Sequence, residues 1–314
     1  MPLYIKNYLT NKKTISPTCY HHLFSRIKMK PKIAVILTCY NRHLKTIECL
    51  ESIYNQKPGT ELTFDIYLVD DNSPDNTGKL VKERFPAVNV LYGTGSLFWV
   101  GGMRMAWSEA LKSAYDGYLL INDDVVMSSN MFSSLLSTHS YSLDKYQQEG
   151  IYIGSTKDPE TGKVSYGGRT LLNKFTGKSI LTEPDQYKPV ECDLAHANIL
   201  LVMKNAVSKI GILNQSFTQR LADYDYTLKA KKTGIPLLVC PGFCGVCKDD
   251  HGKNWLTSEY SLKQRISYLK NPKYLAYAEY LLFIKWHFPF YTPVAFSKLW
   301  MKTLFPSLWN KLKS

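Results

Sequence analysis

Two adjacent carboxylates, Asp123 and Asp124, are the residues of this sequence with the clearest capacity for chemistry. They follow Asn122 and the uninterrupted apolar run YLLI at residues 118–121, which is typical of a short strand covered on both faces. Because neighbouring carboxylates repel each other and are costly to desolvate, we expect a positive group to hold them together. A hard divalent cation that also contacts a diphosphate is the simplest such group, and a solvated turn is the alternative.

Two further polar clusters follow apolar runs in the same way. TCYNR at residues 38–42 follows IAVIL, and DDNS at residues 70–73 follows IYLV. The carboxyl ends of parallel strands meet at one edge of an open α/β sheet, where ligands bind, so we expect the three clusters to lie together. An edge with these polar groups suits a nucleotide, which needs a hydrogen-bond acceptor for its base, a hydrogen-bond partner for its ribose and a cation for its diphosphate. The sequence has no GxxxxGK[ST] loop and no GxGxxG after the first strand, which argues against P-loop and dinucleotide-binding proteins.

The elements that carry these clusters alternate along the chain. Helical spacing between the strands, and a third strand at residues 88–92, predict an α/β fold with a mixed, mainly parallel sheet flanked by helices. Ser128 and Ser129 are predicted to cap a helix that begins near residue 131. Beyond about residue 150 we expect a strand pair at 151–155 and 164–166, an irregular stretch at 170–190, a strand at 197–203 and a helix at 223–233.

The net charge of +13 on 314 residues is carried by the two ends of the chain. Residues 1–31 hold 6 Lys and Arg without an acidic residue, and residues 256–314 hold 9 with 2 acidic residues, so residues 32–255 are neutral. We therefore divide the chain into a basic N-terminal extension (1–31), a central domain (32–255) and a basic, aromatic, helical C-terminal segment (256–314). Basic ends around a neutral body predict an anionic surface as partner.

The C-terminal segment mixes its lysines with Trp286, Trp300 and Trp309, a composition typical of a membrane interface. Lysines and prolines between residues 285 and 298 interrupt every long apolar run, so we expect the segment to lie on a bilayer and not to span one. Helices that pack on the domain are the alternative. The N-terminus lacks the apolar core of a signal peptide, which predicts a cytoplasmic protein at the inner face of the plasma membrane.

The cysteines predict a reducing compartment, because their number, seven, is odd and most are scattered. The spacing of Cys240, Cys244, Cys247 and His251 could hold zinc. Against this, residues 237–240 have the pattern of a strand, which would keep Cys240 away from a compact ligand loop.

Five stretches, in their order and spacing, resemble glycosyltransferase family 2: IAVILTCYNR, IYLVDDNSPDNT, WVGGMRMAW, INDDV and FTQRLADYDYTLKAKKTG. The resemblance covers residues 32–251 and implies the Rossmann-like GT-A fold. It also implies inverting transfer of a sugar from a nucleotide-diphosphate sugar, such as a UDP- or dTDP-sugar, to a hydroxyl group. WVGGMRMAW is most similar to hexosyl- and rhamnosyltransferases of bacterial capsule, O-antigen and cell-wall polysaccharide synthesis, which implies a glycan acceptor that is lipid-linked.

The same resemblance implies roles for individual residues. Asp223 would be the catalytic base, and Asp124 with His251 would bind Mg²⁺ or Mn²⁺. The nucleotide-sugar would contact Thr38, Tyr40, Arg42, Asp71, Gly101, Gly102, Arg104 and Asp123. Each role has a simpler alternative: a helix N-cap for Asp223, a turn for Asp71, a surface histidine for His251, and close helix–strand packing for the two glycines.

Two other classes of protein remain open at this point. A nucleotidyltransferase would share the sheet and the metal, but it usually carries a glycine-rich loop after the first strand, and TCYNRH has no glycine. A nucleic-acid-binding protein would explain the basic ends, but its basic residues should form a patch on the folded domain, which is neutral here. We therefore expect no nucleic-acid partner.

Overall fold

A mixed, mainly parallel sheet forms the centre of the molecule in the computed structural model, which describes residues 30–56, 62–249, 260–272 and 274–313. In chain order the strands are β1 (Lys32–Cys39), β2 (Thr63–Asp70), β3 (Asn89–Tyr92), β4 (Gly117–Ile121), β5 (Val126–Met127), β6 (Ile151–Lys157), β7 (Val164–Tyr166), β8 (Gly168–Asn173), β9 (Lys178–Leu181), β10 (Val190–Glu191), β11 (Leu194–Ala195), β12 (Ile199–Met203) and β13 (Leu237–Val246).

The helices lie on both faces of this sheet and beyond its last strand. They are α1 (His43–Tyr54), α2 (Thr77–Arg84), α3 (Phe98–Ala110), α4 (Met131–Tyr146), α5 (Lys204–Ile210), α6 (Ala222–Lys232), α7 (Leu262–Lys270), α8 (Tyr277–His287), α9 (Thr292–Leu304) and α10 (Pro306–Lys313), with a 3-10 turn at Pro289–Tyr291. The predicted α/β class, the mainly parallel sheet and the helical C-terminal extension are confirmed.

The strand order explains why the three polar clusters meet. Along the main path of the sheet the order is β10-β13-β6-β12-β4-β1-β2-β3, and β3, β2, β1 and β4 run parallel. Strand β1 lies between β2 and β4, so the residues that follow these three strands reach the same edge of the sheet. On its other side, β4 pairs with the antiparallel strand β12. The carboxylates after β4 therefore sit near the middle of the sheet.

The alternation of side chains along β1 divides the core into two layers. Ile33, Val35 and Leu37 belong to the layer covered by α1, α2 and α4, and Ala34 and Ile36 to the layer covered by α3. All five side chains are almost completely buried. A strand covered on both faces needs apolar residues without a break, which is why the runs at β1, β2 and β4 were readable from the sequence.

Two local predictions were wrong. Residues 170–190 are not irregular: β8 and β9 form an antiparallel pair in a second sheet of order β11-β8-β9. Its residues are partly exposed and its turn depends on Gly177, whose φ of 71° is left-handed, so no continuous apolar pattern marks it. Ser128 and Ser129 do not cap α4. Asn130 occupies the N-cap position, and it makes no side-chain cap hydrogen bond.

The C-terminal segment packs on the domain, as the alternative to a free membrane segment proposed. Phe283, Ile284, Phe288 and Ala295 are buried in the same layer of the core as α3 and α6. Trp300 donates its indole N–H to the Tyr277 hydroxyl at 3.1 Å. Over the residues that the structure describes, we find no helix whose length and apolar character would let it cross a membrane. The N-terminal extension lies outside the described residues up to residue 29.

Candidate functional site

A cavity of about 510 Å³ opens where β1, β2 and β4 end. The three polar clusters of the sequence all contribute to it, together with residues from the loop before α3 and from more distant strands. Its lining is formed by Thr38, Cys39, Tyr40, Arg42, Asp71, Gly95, Ser96, Phe98, Trp99, Asn122, Asp123, Asp124, Tyr166, Asn198 and Gln219. Six of the sequence-predicted site residues are therefore brought together: Thr38, Tyr40, Arg42, Asp71, Asp123 and Asp124.

The two carboxylates share one cationic partner. Arg42 Nη1 lies 3.2 Å from Asp123 Oδ1 and 3.1 Å from Asp124 Oδ2. Thr46 adds a hydrogen bond from its hydroxyl to Asp123 Oδ2 at 3.1 Å. Asp123 is the more deeply buried, with 7% of its side chain exposed against 17% for Asp124. Burial raises the pKa of the Asp123 carboxyl to about 7, with the Arg42 charge opposing and the Asp124 charge adding to the shift.

This pair fits a hard divalent cation. Carboxylate oxygens are the ligands that Mg²⁺ and Mn²⁺ prefer, and here two carboxylates already converge on one positive group, the Arg42 guanidinium. Within the described ranges no three His, Cys, Asp or Glu side chains group as a closed metal site. Two protein carboxylates would leave coordination positions for phosphate oxygens and water, which is the usual arrangement for Mg²⁺. His251, the other predicted ligand, lies outside the described residues.

Asp71 organises the loop that leads into α3. Its carboxylate accepts hydrogen bonds from the backbone N–H groups of Gly95 at 2.7 Å, Leu97 at 2.8 Å and Phe98 at 3.2 Å. A carboxylate next to the first amides of a helix also interacts favourably with the helix dipole. As a result α3 begins at Phe98, and the loop is fixed against the cavity.

Trp99, Asn122 and Gln219 form one wall of the cavity. The Trp99 indole N–H donates to Asn122 Oδ1 at 2.8 Å, and the Trp99 backbone N–H donates to Gln219 Oε1 at 2.9 Å. The preceding residue, Phe98, has a φ of 54°, an uncommon conformation for a bulky side chain that this loop holds in place. Of these three residues, Asn122 was part of a predicted polar cluster, and no local pattern marked Trp99 or Gln219 as cavity residues.

Gly101, Gly102 and Arg104 lie beside the cavity and are not part of its lining. A Cβ atom on Gly102 would lie 2.1 Å from Thr38 Oγ1, so this glycine lets α3 approach β1 closely. A Cβ on Gly101 would meet Leu97 Cβ at 3.1 Å. Arg104 donates to the backbone carbonyl of Leu213. In this structure Gly102 therefore allows close packing of a helix on a strand, which was the alternative to a role in nucleotide-sugar binding. Arg104 supports the loop after α5.

Asp223 lies in the first turn of α6, partly exposed and outside the cavity lining. The N-cap of that helix is Leu221, so the simple N-cap alternative for Asp223 was wrong. Its neighbour Tyr224 forms a 2.7 Å hydrogen bond with His196 Nε2. The His196 ring makes an edge contact with Tyr166, a cavity residue, at a centroid distance of 5.3 Å. Through these rings α6 is connected to Tyr166 in the cavity lining.

The cysteine cluster does not form a zinc site within the described part of the chain. Cys240 and Cys244 are both buried in β13, as the strand pattern around residue 240 indicated. Cys247 lies against the carboxylate pair instead, with its Sγ 3.9 Å from Asp124 Oδ1. Among the residues that the structure describes, no cysteine forms a disulfide.

Comparison with known proteins identifies the domain that holds this cavity. Residues 34–188 match the profile of the family described as glycosyl transferase family 2. This part of the chain is similar to glycosyl transferase family 2 domains. Thr38, Asp71, Asp123 and Asp124 lie inside the matched range of this domain, and Asp223 and its helix lie beyond it.

Solved structures of glycosyltransferases resemble this chain at low sequence identity. Residues 1–349 of S. aureus TarS, in complex with UDP-GlcNAc, are 15% identical with a TM-score of 0.51, over 82% of this chain and 73% of that one. The mannosyltransferase PcManGT from Pyrobaculum calidifontis, in complex with GDP-Man and Mn²⁺, is 13% identical with a TM-score of 0.48, over 93% and 79% of the two chains. No curated protein sequence gives a significant match. The chain thus has the predicted GT-A-like fold, with a mixed, mainly parallel sheet flanked by helices.

Proposed function

We propose that the protein is an inverting glycosyltransferase that moves a sugar from a nucleotide-diphosphate sugar to a hydroxyl of a glycan acceptor. One observation carries this proposal: the cavity of a glycosyl transferase family 2 domain is lined at once by the carboxylate pair Asp123–Asp124 and by the polar ends of two neighbouring strands. A nucleotide can extend from Thr38, Tyr40 and Asp71 towards that pair. The nucleoside and the diphosphate then meet groups of suitable chemistry.

The donor would be held as follows. The Tyr40 ring is about half exposed at the cavity and offers a face for the base or ribose. Asp71 still has acceptor capacity for a base N–H beside its backbone partners. Asp124 and Asp123 would hold Mg²⁺ or Mn²⁺, with His251 as a further ligand from outside the described residues. When bound, the cation supplies positive charge against the leaving diphosphate. Arg42 lies within reach of the same charge.

The acceptor hydroxyl needs a base on the face of the sugar opposite the diphosphate, since attack from that face inverts the anomeric carbon. We assign this role to Asp223, which stands at the start of α6 and has its backbone neighbour Tyr224 fixed by His196. The Asp223 carboxylate takes the proton of the acceptor hydroxyl as the hydroxyl oxygen bonds to the anomeric carbon. The bond between that carbon and the diphosphate oxygen breaks, and the nucleoside diphosphate leaves. Such a base contributes about 10²–10⁴-fold to the rate.

A nucleotide-release screen tests the proposal. Purified protein is incubated with Mn²⁺, a panel of UDP-, dTDP- and GDP-sugars and a mixture of glycan acceptors, and the free nucleoside diphosphate is measured. We expect release with at least one donor, and none with the Asp124→Asn variant. Pyrophosphate formed from a nucleoside triphosphate and a sugar phosphate would instead identify a nucleotidyltransferase and contradict the proposal.

We further propose that the acceptor is lipid-linked, in bacterial capsule, O-antigen or cell-wall polysaccharide synthesis. The protein would then work at the cytoplasmic side of the plasma membrane, with residues 1–31 and 256–314 on anionic lipid and 32–255 as the catalytic domain. The support is a set of exposed apolar side chains on the C-terminal segment: Val294, Phe290, Phe296, Phe305 and Leu308. Phe290 is 83% exposed, and exposed lysines such as Lys298 stand among these residues.

The hairpin of β8 and β9 extends this apolar surface. A Cβ on Gly177, in the hairpin turn, would lie 2.6 Å from the Phe288 ring, so the turn contacts the start of the 3-10 turn that carries Phe290. On the hairpin, Phe175 is 70% exposed. Two exposed rings beside surface lysines are suited to the interface of an anionic bilayer.

Co-sedimentation with phosphatidylglycerol vesicles tests the membrane proposal. We expect binding that weakens with salt and is reduced in Phe290→Ser combined with Phe305→Ser, whereas Leu111→Ser, an exposed apolar control on the domain, binds like the wild type. Point substitutions are needed because deletion from residue 281 would remove the buried Phe283 and Ile284. Equal binding of all variants, or none at low salt, would contradict the proposal.

A further inference from the structure

The loop at residues 217–221 contacts the cavity wall formed by Trp99, Asn122 and Gln219. The Thr218 carbonyl accepts the backbone N–H of Val100 at 2.9 Å, and the Gln219 side chain accepts that of Trp99 at 2.9 Å. Both N–H groups belong to the first turn of α3, which has no intrahelical partners for them. The loop therefore caps α3 and fixes Trp99, whose indole N–H donates to Asn122, the residue next to the carboxylate pair.

The other side of this loop is held by the C-terminal segment. Glu279 Oε2 accepts the backbone N–H of Thr218 at 3.1 Å, and Glu279 Oε1 accepts the Thr218 hydroxyl at 2.6 Å. Arg220 donates to the backbone carbonyl of Tyr274 at 2.8 Å. Hydrogen bonds to a carboxylate are among the stronger ones in proteins, and Glu279 stands in the first turn of α8, where the helix dipole favours a negative charge.

A second contact joins the same two elements further along. His287 Nε2 lies 2.7 Å from Asp225 Oδ1, and the two side chains are only 5% and 8% exposed. Asp225 is two residues after Asp223, on the first turn of α6. Helix α8 thus contacts both the loop before α6 and the start of α6 itself.

From this geometry we infer that Glu279 is a positioning residue of the site. Through Thr218 it holds Gln219 against Trp99, so the C-terminal segment, and not the glycosyl transferase family 2 domain alone, completes the wall of the donor cavity. An effect of Glu279 on binding of the nucleotide-sugar donor rests on the proposed function. Its effect on the position of Trp99 and Gln219 does not.

Hydrogen exchange measured by mass spectrometry tests, without any substrate, whether Glu279 stabilises the loop that accepts hydrogen bonds from Trp99 and Val100. We expect the amides of Trp99 and Val100 to exchange about tenfold faster or more in Glu279→Ala, because the loop that accepts from them is released. Glu279→Gln should stay close to the wild type, since its amide oxygen still accepts the Thr218 N–H and its NH₂ donates to the Thr218 hydroxyl.

Arg265→Met is the matched control. Arg265 donates to the Thr303 and Tyr260 carbonyls and so loses hydrogen bonds within the C-terminal segment, away from the loop. In the Arg265→Met variant the amides of Trp99 and Val100 should exchange as in the wild type. Unchanged exchange in Glu279→Ala, or equally fast exchange in Arg265→Met, would overturn the inference.

Kinetics then test the consequence for the donor that the nucleotide-release screen identifies. Glu279→Ala should raise the donor KM about fivefold or more with a smaller change in kcat, Glu279→Gln should restore it, and Arg265→Met should not move it. An unchanged donor KM together with fast exchange would overturn the positioning role. If the wild type releases no nucleotide from any donor, the proposed function fails, and the exchange result alone decides whether Glu279 holds the wall.

Discussion

The Arg42 guanidinium donates to the Asp124 carboxylate at 3.1 Å, with the same nitrogen that lies 3.2 Å from Asp123. One cation thus relieves the repulsion of two adjacent carboxylates, one of which is almost fully buried. Arginine and a divalent cation would use overlapping oxygens of this pair. We therefore expect the Arg42 side chain to turn towards the diphosphate when a metal ion binds the two carboxylates.

Substitution of Arg42 tests this competition. In Arg42→Gln the two carboxylates lose their shared cation, so Mn²⁺ alone should raise the unfolding temperature more than it does for the wild type. The measurement is thermal unfolding with and without Mn²⁺, in the absence of nucleotide. Lys45→Gln, an exposed neighbour on α1, is the control and should match the wild type. A smaller Mn²⁺ shift in Arg42→Gln would contradict the competition.

Asp223→Asn tests the assignment of the base. The substitution keeps the shape of the side chain and removes its ability to take a proton, so kcat should fall by about 10²–10⁴ while the donor KM stays close to normal. Asp144→Asn, at an exposed position of α4, serves as the control for loss of one carboxylate. Should the donor KM collapse while kcat survives, Asp223 belongs to the donor site or to the fold.

Gly102→Ala tests the close approach of α3 to β1. The added Cβ would lie 2.1 Å from Thr38 Oγ1, so the helix must move and the protein should lose about 1–3 kcal/mol of unfolding free energy. Donor binding should weaken as well, because Thr38 lines the cavity. Gly101→Ala, where the nearest atom is 3.1 Å away, should cost less in a urea unfolding titration. Equal costs would show that the contact with Thr38 does not limit the packing.

Asp75 gives a prediction for pH. Burial would raise the pKa of its carboxyl, but hydrogen bonds from the Thr77 side chain and from His43 outweigh it and lower the pKa to about 2. Because the folded pKa lies below the usual value of 3.8, these bonds stabilise the fold above about pH 4 and are lost as the pH falls towards 2.

Asp75→Asn should therefore cost about 1–2 kcal/mol at pH 7, with the difference from the wild type shrinking below pH 4. Urea unfolding at several pH values measures it, with the exposed Glu48→Gln as control. A difference that is the same at pH 7 and pH 3 would contradict the role given to the ionised carboxylate.

The parts of the fold that were predictable are those in which one physical requirement dominates. Strands β1, β2 and β4 are buried on both faces, so apolar runs such as residues 33–37 mark them. The β8–β9 hairpin was missed because its residues are partly exposed and its turn depends on Gly177. No local pattern marks the start of α3, because its first turn is capped from a distance, by Asp71, Thr218 and Gln219.

For the site, sequence reasoning could find residues at strand ends but not those that come from elsewhere. Asp71 follows β2, whereas Asp123 and Asp124 follow β4. These two strands flank β1, so the meeting of the three carboxylates follows from the topology of the sheet. Gln219 reaches the cavity from the loop before α6, which no local pattern predicts. The same limit applies to Arg42: its loop was expected at the site, but its position between two carboxylates depends on tertiary structure.

Calorimetric binding of nucleoside diphosphates tests the central claim most directly. UDP, dTDP and GDP are titrated into the wild type and into Asp124→Asn, each with Mn²⁺ and with excess EDTA, and Asp116→Asn at the other end of β4 serves as the control. We predict that at least one diphosphate binds the wild type and Asp116→Asn with Mn²⁺, and that its affinity falls about tenfold or more in EDTA and in Asp124→Asn. Equal affinity in all four conditions, or no binding by any of the three nucleotides, would contradict the account of this cavity as a metal-assisted nucleotide-sugar site.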